Sequence, residues 1–202
     1  MQIPTDLLKA AILFAAKKDF RVWLSGVQID WQHRKAGQST SISIVATDGH
    51  RLFAGKFSNE HVQSNLDAGS AIIDAAQVKL ALTGHKGDTI GFSFDAETRT
   101  GALGNLAVEG MDATYPDWRK VIPESVSGEV SHFDAAYVGD MAKAAKLLLP
   151  KGQLNAAVTH PNGYEPALVT FGEREDVLAV LMPCRHEFDY DQAARIAQSI
   201  AA

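Results

Sequence analysis

The segment VATDGHRLF, residues 45–53, places five residues of contrasting chemistry side by side: Thr47, Asp48, Gly49, His50 and Arg51. A carboxylate near an imidazole can orient a general base, and both side chains can bind a metal ion. However, Asp48 and His50 are two residues apart, no Ser or Cys nucleophile motif stands out, and the other histidines lack a ligand spacing such as HExxH. The plainer interpretation is a turn between strands, with the Asp48 carboxylate accepting hydrogen bonds from nearby backbone amides. We therefore predict a protein that is not an enzyme, with no catalytic residue, metal site or cofactor.

The composition is that of an ordinary globular protein. Its 202 residues, 46% of them hydrophobic, fit one large domain or two small ones. A net charge of -5 argues against a surface built wholly for nucleic acid, but it permits a locally basic face. Cys184 is the single cysteine, which predicts a reducing, cytoplasmic location. Asp6 and Lys9 interrupt the apolar start of the chain, so we predict an amphipathic helix there rather than a signal peptide, and no stretch reaches transmembrane length.

An internal repeat organises the chain. IIDAAQVKLALTG (72–84) and HFDAAYVGDMAKAAKLLL (132–149) share the pattern Asp-Ala-Ala-x-Val, followed in each case by helical spacing of apolar residues. Asp74 and Asp134 are suited to cap these helices, because a carboxylate can accept the free amide hydrogens of a first turn. The segment IPTDLLKAAILFAA near the N-terminus fits the same position, with Thr5 as its candidate cap. Helix starts near 5, 74 and 134 give a period of roughly 60 residues.

Short alternating apolar runs with turn signals follow each predicted helix, and they indicate three strands every time. The predicted fold class is α+β, with a strand-helix-three-strand unit repeated three times, antiparallel sheets, and the helices on one face. The first two units, about 1–58 and 70–123, are expected to form one domain over 1–123. A third half-unit is expected at 124–186, and a short helical extension at 187–202.

A resemblance to a known family is carried by four motifs. VATDGHRL resembles the signature of the bacterial β sliding clamp, the processivity subunit of DNA polymerase III. FRVWLSG (20–26), YPDWRKVIP (115–123) and VLMPCR (180–185) are similar to other clamp segments and occur in the same order. The resemblance covers residues 1 to about 186 and implies a DNA-clamp-like fold. This chain departs from the family in having three half-units instead of six, in continuing past Arg185, and in carrying Cys184 where a larger hydrophobic residue is common.

The resemblance implies a hydrophobic pocket into which partner proteins insert a short peptide. Leu, Val, Met and Pro side chains would form its apolar surface, and methionine adapts to varied side chains. The matching pocket residues are Leu24, Thr47, Gly49, His50, Arg51, Leu52, Pro116, Lys120, Val121, Val180, Leu181, Met182, Pro183, Cys184 and Arg185.

The resemblance also implies a lysine-rich helical surface that faces duplex DNA. Such contacts touch phosphates and do not read bases, so binding would be independent of sequence. Packing into the sheet edge is an alternative role for Trp23, and plain solvation is an alternative for the lysines. The DNA-facing candidates are Lys9, Lys17, Lys18, Arg21, Trp23, Lys79, Lys86, Lys143 and Lys146.

Two functions are compatible with these features. The first is a sliding-clamp-like processivity factor that encircles DNA and tethers a polymerase or another protein with a clamp-binding peptide. The alternative is a clamp-derived interaction module that binds such peptides without forming a ring. Because a family ring contains twelve half-units, we expect self-association into a homodimer at least, with a homotetramer as the ring. No membrane partner is expected.

Overall fold

The computed structural model describes residues 1–32, 40–59, 68–123, 132–151, 153, 155–159, 164–184 and 195. Most of the predicted extension at 187–202 lies outside these residues, and so does Arg185. Most of the chain between the predicted units also lies outside them. The helices are α1 (Thr5–Phe14), α2 (Ala75–Leu82) and α3 (Ala135–Leu148). Short 3₁₀ helices span Val22–Ser25 and Trp118–Val121. The strands are β1 (Gln2–Pro4), β2 (Gly26–Gln32), β3 (Thr40–Thr47), β4 (Arg51–Asn59), β5 (Gly69–Asp74), β6 (Thr89–Asp95), β7 (Thr100–Leu103), β8 (Leu106–Glu109), β9 (Ala156–Thr159), β10 (Ala167–Phe171) and β11 (Arg174–Leu181).

The helices begin for local reasons that the sequence contains. Asp74 accepts a hydrogen bond from the Ala76 amide and Asp134 accepts one from the Ala136 amide, each at 2.7 Å, so both predicted N-caps are confirmed. The prediction for α1 is wrong, because Thr5 is its first helical residue and not its cap. The Thr5 hydroxyl instead donates to the Gly87 carbonyl at 3.2 Å, which ties α1 to the second unit.

Within the described residues, the strands form two antiparallel sheets, which together with the three helices confirm the predicted α+β class. One sheet has the order β1-β6-β7-β8, and the other has the order β5-β2-β3-β4-β11-β10-β9. The first two units exchange their first strands, since β1 pairs with β6 of the second unit and β5 pairs with β2 of the first. The third unit joins the first through β4 and β11, so that one sheet runs through both.

The larger sheet buries a hydrophobic layer on each face. On one face, which we call the helix-side core, α1 and α3 pack against residues such as Phe53 and Phe171, both fully buried. The opposite face carries a smaller cluster, which we call the outer cluster. Burying each large apolar side chain stabilises the fold by about 1.5–3 kcal/mol. The buried members of the outer cluster are Val45, Leu52, Ala54, Ile72, Tyr115 and Val180, and its partly buried members are Trp23, Met111, Ala113, Trp118, Ile122 and Leu178.

The helices are short. Among the described residues, none of them is both long enough and apolar enough to cross a membrane.

Candidate functional site

The turn between β3 and β4 is held by its own side chains. The Asp48 carboxylate accepts hydrogen bonds from the amides of His50 (3.0 Å) and Arg51 (3.1 Å), as expected for a turn. The Thr47 hydroxyl donates to the Arg51 carbonyl at 2.7 Å and accepts from the Gly49 amide at 3.0 Å. Gly49 has a φ of 89°, a conformation that favours glycine. The His50 ring stacks on Tyr137 of α3, with centroids 6.0 Å apart. The Asp48 carboxylate therefore organises the turn backbone.

Arg51 leaves this turn toward the helices and is 8% exposed. Its guanidinium donates to Asp48 Oδ2 at 3.0 Å, to the Leu13 carbonyl at 2.8 Å and to the Asp140 carboxylate. It also lies over the rings of Phe14 and Tyr137, at 5.3 and 4.7 Å from their centroids. Arg51 therefore joins β4, α1 and α3, and its guanidinium is directed away from the outer cluster.

Asp140 is the acidic partner of Arg51 on α3. Burial favours its protonated form, but hydrogen bonds from Lys143 and Arg51 outweigh burial and hold the pKa of the carboxyl below its usual value. The Lys143 amine donates to Asp140 Oδ1 at 2.6 Å. One carboxylate is thus shared between a buried arginine and an exposed lysine.

Strand alternation divides the predicted pocket residues between the two faces of the sheet. Leu52 lies opposite Val180 in the β4–β11 pair, and both belong to the outer cluster. Arg51 lies opposite Leu181, and Leu181 belongs to the helix-side core with no exposed surface. Successive residues of a strand point to opposite faces, so these two pairs cannot line the same pocket. The resemblance placed Arg51 and Leu181 in the pocket, but both side chains lie on the opposite, helix-side face of the sheet.

The segment after β8 covers the outer cluster. Tyr115 is buried in this cluster, where burial raises the pKa of its hydroxyl above the usual value. Trp118 and Ile122 pack beside it. Val121, between them, keeps 42% of its surface exposed, and Met182 at the end of β11 keeps 39% exposed. The structure therefore brings the ends of β4 and β11 and the segment after β8 to one apolar surface.

The remaining predicted pocket residues differ in their burial. Leu24 is 2% exposed within the first 3₁₀ helix. The Met182 amide donates to the His50 carbonyl at 2.8 Å, which places the end of β11 beside the turn. Pro183 and Cys184 are half-buried, whereas Pro116, Lys120, Gly49 and His50 are exposed.

The three helices present a basic surface on the other side of the sheet. Lys9 and Lys17, from α1 and the loop after it, line an open cavity of about 510 Å³ together with Lys79 of α2 and Lys143 of α3. Ile12, Leu13 and Leu82 are among its apolar residues, and Asp140 is its acidic residue. Four of the lysines predicted to face DNA are therefore brought together from three units.

The other predicted DNA-facing residues are more dispersed. Lys18, Lys86 and Lys146 are exposed. Arg21 is held by Asp19, with Nη2 to Oδ2 at 2.9 Å, and its hydrogen bonds lower the pKa of Asp19 to about 2. Trp23 is partly buried against the outer cluster, on the face opposite the helix-side core. This position fits the packing role that the sequence left open for it.

Two parts of this arrangement were not foreseen from the sequence. Trp118 and Tyr115 anchor the covering segment, and their signal was two aromatic residues close together in a segment after the last strand of the second unit. Asp140 and Tyr137 surround Arg51 from α3, and nothing in the local sequence marks that contact because it joins residues of different units.

Comparisons with known proteins agree with this geometry at the level of fold. No protein-family model and no curated protein matches the chain. The β subunit of DNA polymerase III from Pseudomonas aeruginosa matches 92% of this chain and 66% of its own, with a TM-score of 0.70 and 16% identity. The β subunit from Thermotoga maritima matches 93% and 65%, with a TM-score of 0.68 and 17% identity. A sliding clamp from Bartonella birtlesii bound to griselimycin matches 92% and 66%, with a TM-score of 0.71 and 18% identity.

The chain therefore has the fold of the bacterial β sliding clamps, as the four motifs predicted. It spans just under two thirds of the length of these clamps.

Proposed function

We propose that this protein is a sliding-clamp-like processivity factor of DNA replication that acts in the cytoplasm. In this proposal duplex DNA lies along the helix side, and a polymerase or another partner inserts a peptide over the outer cluster. The observation that carries it is the division of the sheet into two faces. Lysines from all three helices line one cavity on the helix side, and the outer cluster, built from β4, β11 and the segment after β8, lies on the other face.

The helix side is suited to sequence-independent contact with DNA. Lys9, Lys17, Lys79 and Lys143 are long cations that can contact a phosphate backbone without reading bases. The chain as a whole carries a net charge of -5, and an acidic protein of this kind can still present a locally basic face. Contacts of this kind weaken steeply with salt, because each neutralised phosphate releases a counterion.

The outer surface is suited to a short peptide. Leu52, Val180 and Tyr115 provide a buried apolar floor, and Val121 and Met182 provide exposed apolar edges. An unbranched Met side chain adapts to different apolar groups. We expect peptides with a Gln followed a few residues later by Leu or Phe to bind here. Arg185, which the resemblance also placed in this pocket, lies outside the described residues.

A ring requires several copies of this chain. The chain holds three repeated units, so we propose a homodimer at least and a homotetramer as the form that encircles DNA. The outer cluster by itself would also support a second function, an interaction module that binds the same peptides without encircling DNA.

Retention on circular DNA separates the two functions. Purified protein is incubated with nicked circular plasmid at about physiological salt, where weak phosphate contacts are screened, and is then passed through a sizing column. A ring is expected to stay with the circle and to be lost when the plasmid is linearised. Peptide binding without retention on the circle supports the interaction module, and the absence of both refutes the proposed function.

A further inference from the structure

The ends of the two sheets are protected unequally. At the β5 edge, Gly110 forms a bridge with Ile73, and the Met111 amide donates to the Ile72 carbonyl at 2.8 Å. At the β8 edge, the Gln77 side chain bonds both the amide and the carbonyl of Glu109. Strand β1 is three residues long and ends in a proline. Short length, proline and covering groups are the usual ways in which proteins block an edge strand.

Strand β9 lacks these protections within the described part of the chain. Its residues, Ala156 to Thr159, include no charge and no proline, and its side chains are largely exposed, with Val158 at 42%. The Asn155 carbonyl accepts from the Gly172 amide at 2.9 Å, so Asn155 faces β10. Residues alternate in direction along an antiparallel strand, and the amides of Ala156 and Val158 therefore point outward from the sheet. An apolar edge of this kind is a template for another strand.

The first two units show what covers the equivalent edge. Strand β9 follows α3 as β2 follows α1 and as β6 follows α2. The outer edge of β2 is covered by β5, and the outer edge of β6 by β1, in a reciprocal exchange. In both cases the N-cap residue of one unit's helix lies opposite the first residue of the other unit's strand. Asp74 lies opposite Gly26 of β2, and Pro4 lies opposite Thr89 of β6. Because like units cover each other's strands in this way, a unit with an uncovered strand can pair with another unit of the same kind.

Helix α3 offers a matching face. Asp140 marks the side of α3 that meets Arg51 of the first unit. At 100° per residue, Val138 and Ala142 lie on roughly the opposite side of the helix from Asp140. Both are exposed, and Val138 keeps 46% of its surface accessible. The open strand and the apolar helix face thus belong to the same unit, and both are exposed.

We propose that two copies of the chain associate head to head through their third units, with β9 and the Val138 face of α3 forming a two-fold symmetric interface. The contact repeats between chains the exchange that units one and two make within a chain, with Asp134 of one copy opposite Ala156 of the other. A second copy is the expected occupant, because an exchange of like units is self-complementary. The edge strand of the second unit, β8, is partly covered by Gln77 and occupies a different position in the unit, so joining β9 to β8 would bring unlike surfaces together. This inference rests on the proposed self-association and identifies its surface.

The test uses the full chain and two substitutions with a matched control. Val158→Pro removes an outward amide hydrogen and leaves the bonds to β10 in place. Val138→Glu places a charge on the outer face of α3. Each substitution occurs twice in a two-fold interface, so each is expected to raise the dimer dissociation constant at least about tenfold. Leu80→Glu, at a site on α2 that is 60% exposed, is expected to leave the dimer unchanged.

Sedimentation at several micromolar concentrations measures the assembly, and circular dichroism verifies folding. A monomeric wild-type protein, or a dimer that survives both substitutions, overturns the inference. Peptide binding is measured on the same samples, and Val158→Pro is expected to retain it because the outer cluster lies at β4 and β11. Loss of the dimer with retained peptide binding supports the inference. A dimer that responds as expected but binds no peptide contradicts only the proposed function.

Discussion

Arg51 on β4 and Asp140 on α3 form an ion pair across 89 positions of the chain. The pair lies beneath the turn that contains the strongest sequence motif of the protein, and it fastens the first unit to the third. The rings of Phe14 and Tyr137 lie against the guanidinium. The conspicuous arginine of TDGHRL is thus a structural link between two repeated units, while its neighbour Leu52 contributes to the outer surface.

Replacing Arg51 should destabilise the fold strongly. Arg51→Met leaves the partly buried Asp140 without its arginine, and we expect the free energy of unfolding to fall by about 3 kcal/mol, as when one partner of a buried ion pair is removed. Lys143→Met removes an exposed partner of the same carboxylate and should cost no more than about 1 kcal/mol. Urea unfolding of the three proteins measures the difference. Equal losses for the two substitutions would contradict the buried role of Arg51.

The outer surface should bind clamp-type peptides through its exposed apolar residues. Val121→Asp combined with Met182→Asp should weaken binding at least about tenfold, because each change puts a charge where an apolar peptide side chain would be buried. Both residues are more than one third exposed, so the fold should survive. Leu80→Asp serves as the control. Fluorescence anisotropy of a labelled peptide gives the affinities, and unchanged binding in the double variant would place the site elsewhere.

The lysines of the helix side should account for the salt dependence of DNA binding. Lys9→Gln combined with Lys79→Gln removes two candidate phosphate contacts, so the slope of log affinity against log salt should become shallower by about 1.8. Lys56→Gln is the matched control, since Lys56 is exposed on β4 and alternation directs it to the outer face. Titrations of duplex DNA at several salt concentrations measure the slopes. An equal change for Lys56→Gln would mean that the helix side is not the DNA surface.

Stability should fall in acid partly through Asp176. The Arg174 guanidinium donates to both oxygens of this carboxylate, at 2.6 and 2.7 Å, and these bonds lower the pKa of Asp176. A carboxylate with a depressed folded pKa stabilises the fold above its unfolded pKa of about 3.9, and this stabilisation is lost as the pH falls below that value. Asp176→Asn should therefore be less stable than wild type at pH 6, with a difference that shrinks toward pH 2.5. Asp112→Asn, at a carboxylate that is 84% exposed, is the control. A difference that is constant with pH would exclude the ionic contribution.

The sequence by itself determined the repeated unit and most of its local structure. The Asp-Ala-Ala-x-Val pattern located the starts of α2 and α3, because a capping carboxylate acts within a few residues of the amides that it binds. Alternating apolar residues located the strands for a similar reason, since the faces of a strand repeat every two residues. The motif TDGHRL also specified its own turn, in which Asp48 bonds to the backbone of its neighbours. The four motifs, of which TDGHRL is part of one, carried the resemblance to the clamp fold.

The tertiary structure alone decided which residues share a surface. Local alternation separates Arg51 from Leu52, but only the pairing of β4 with β11 and the packing of α3 show that Arg51 and Leu181 face the helices while Leu52 and Val180 face outward. The same holds for the lysines of three helices and for the open edge of β9, because each depends on how distant units are joined. Caps and strand faces arise from neighbours in sequence, whereas surfaces and free edges arise from contacts between residues far apart in the chain.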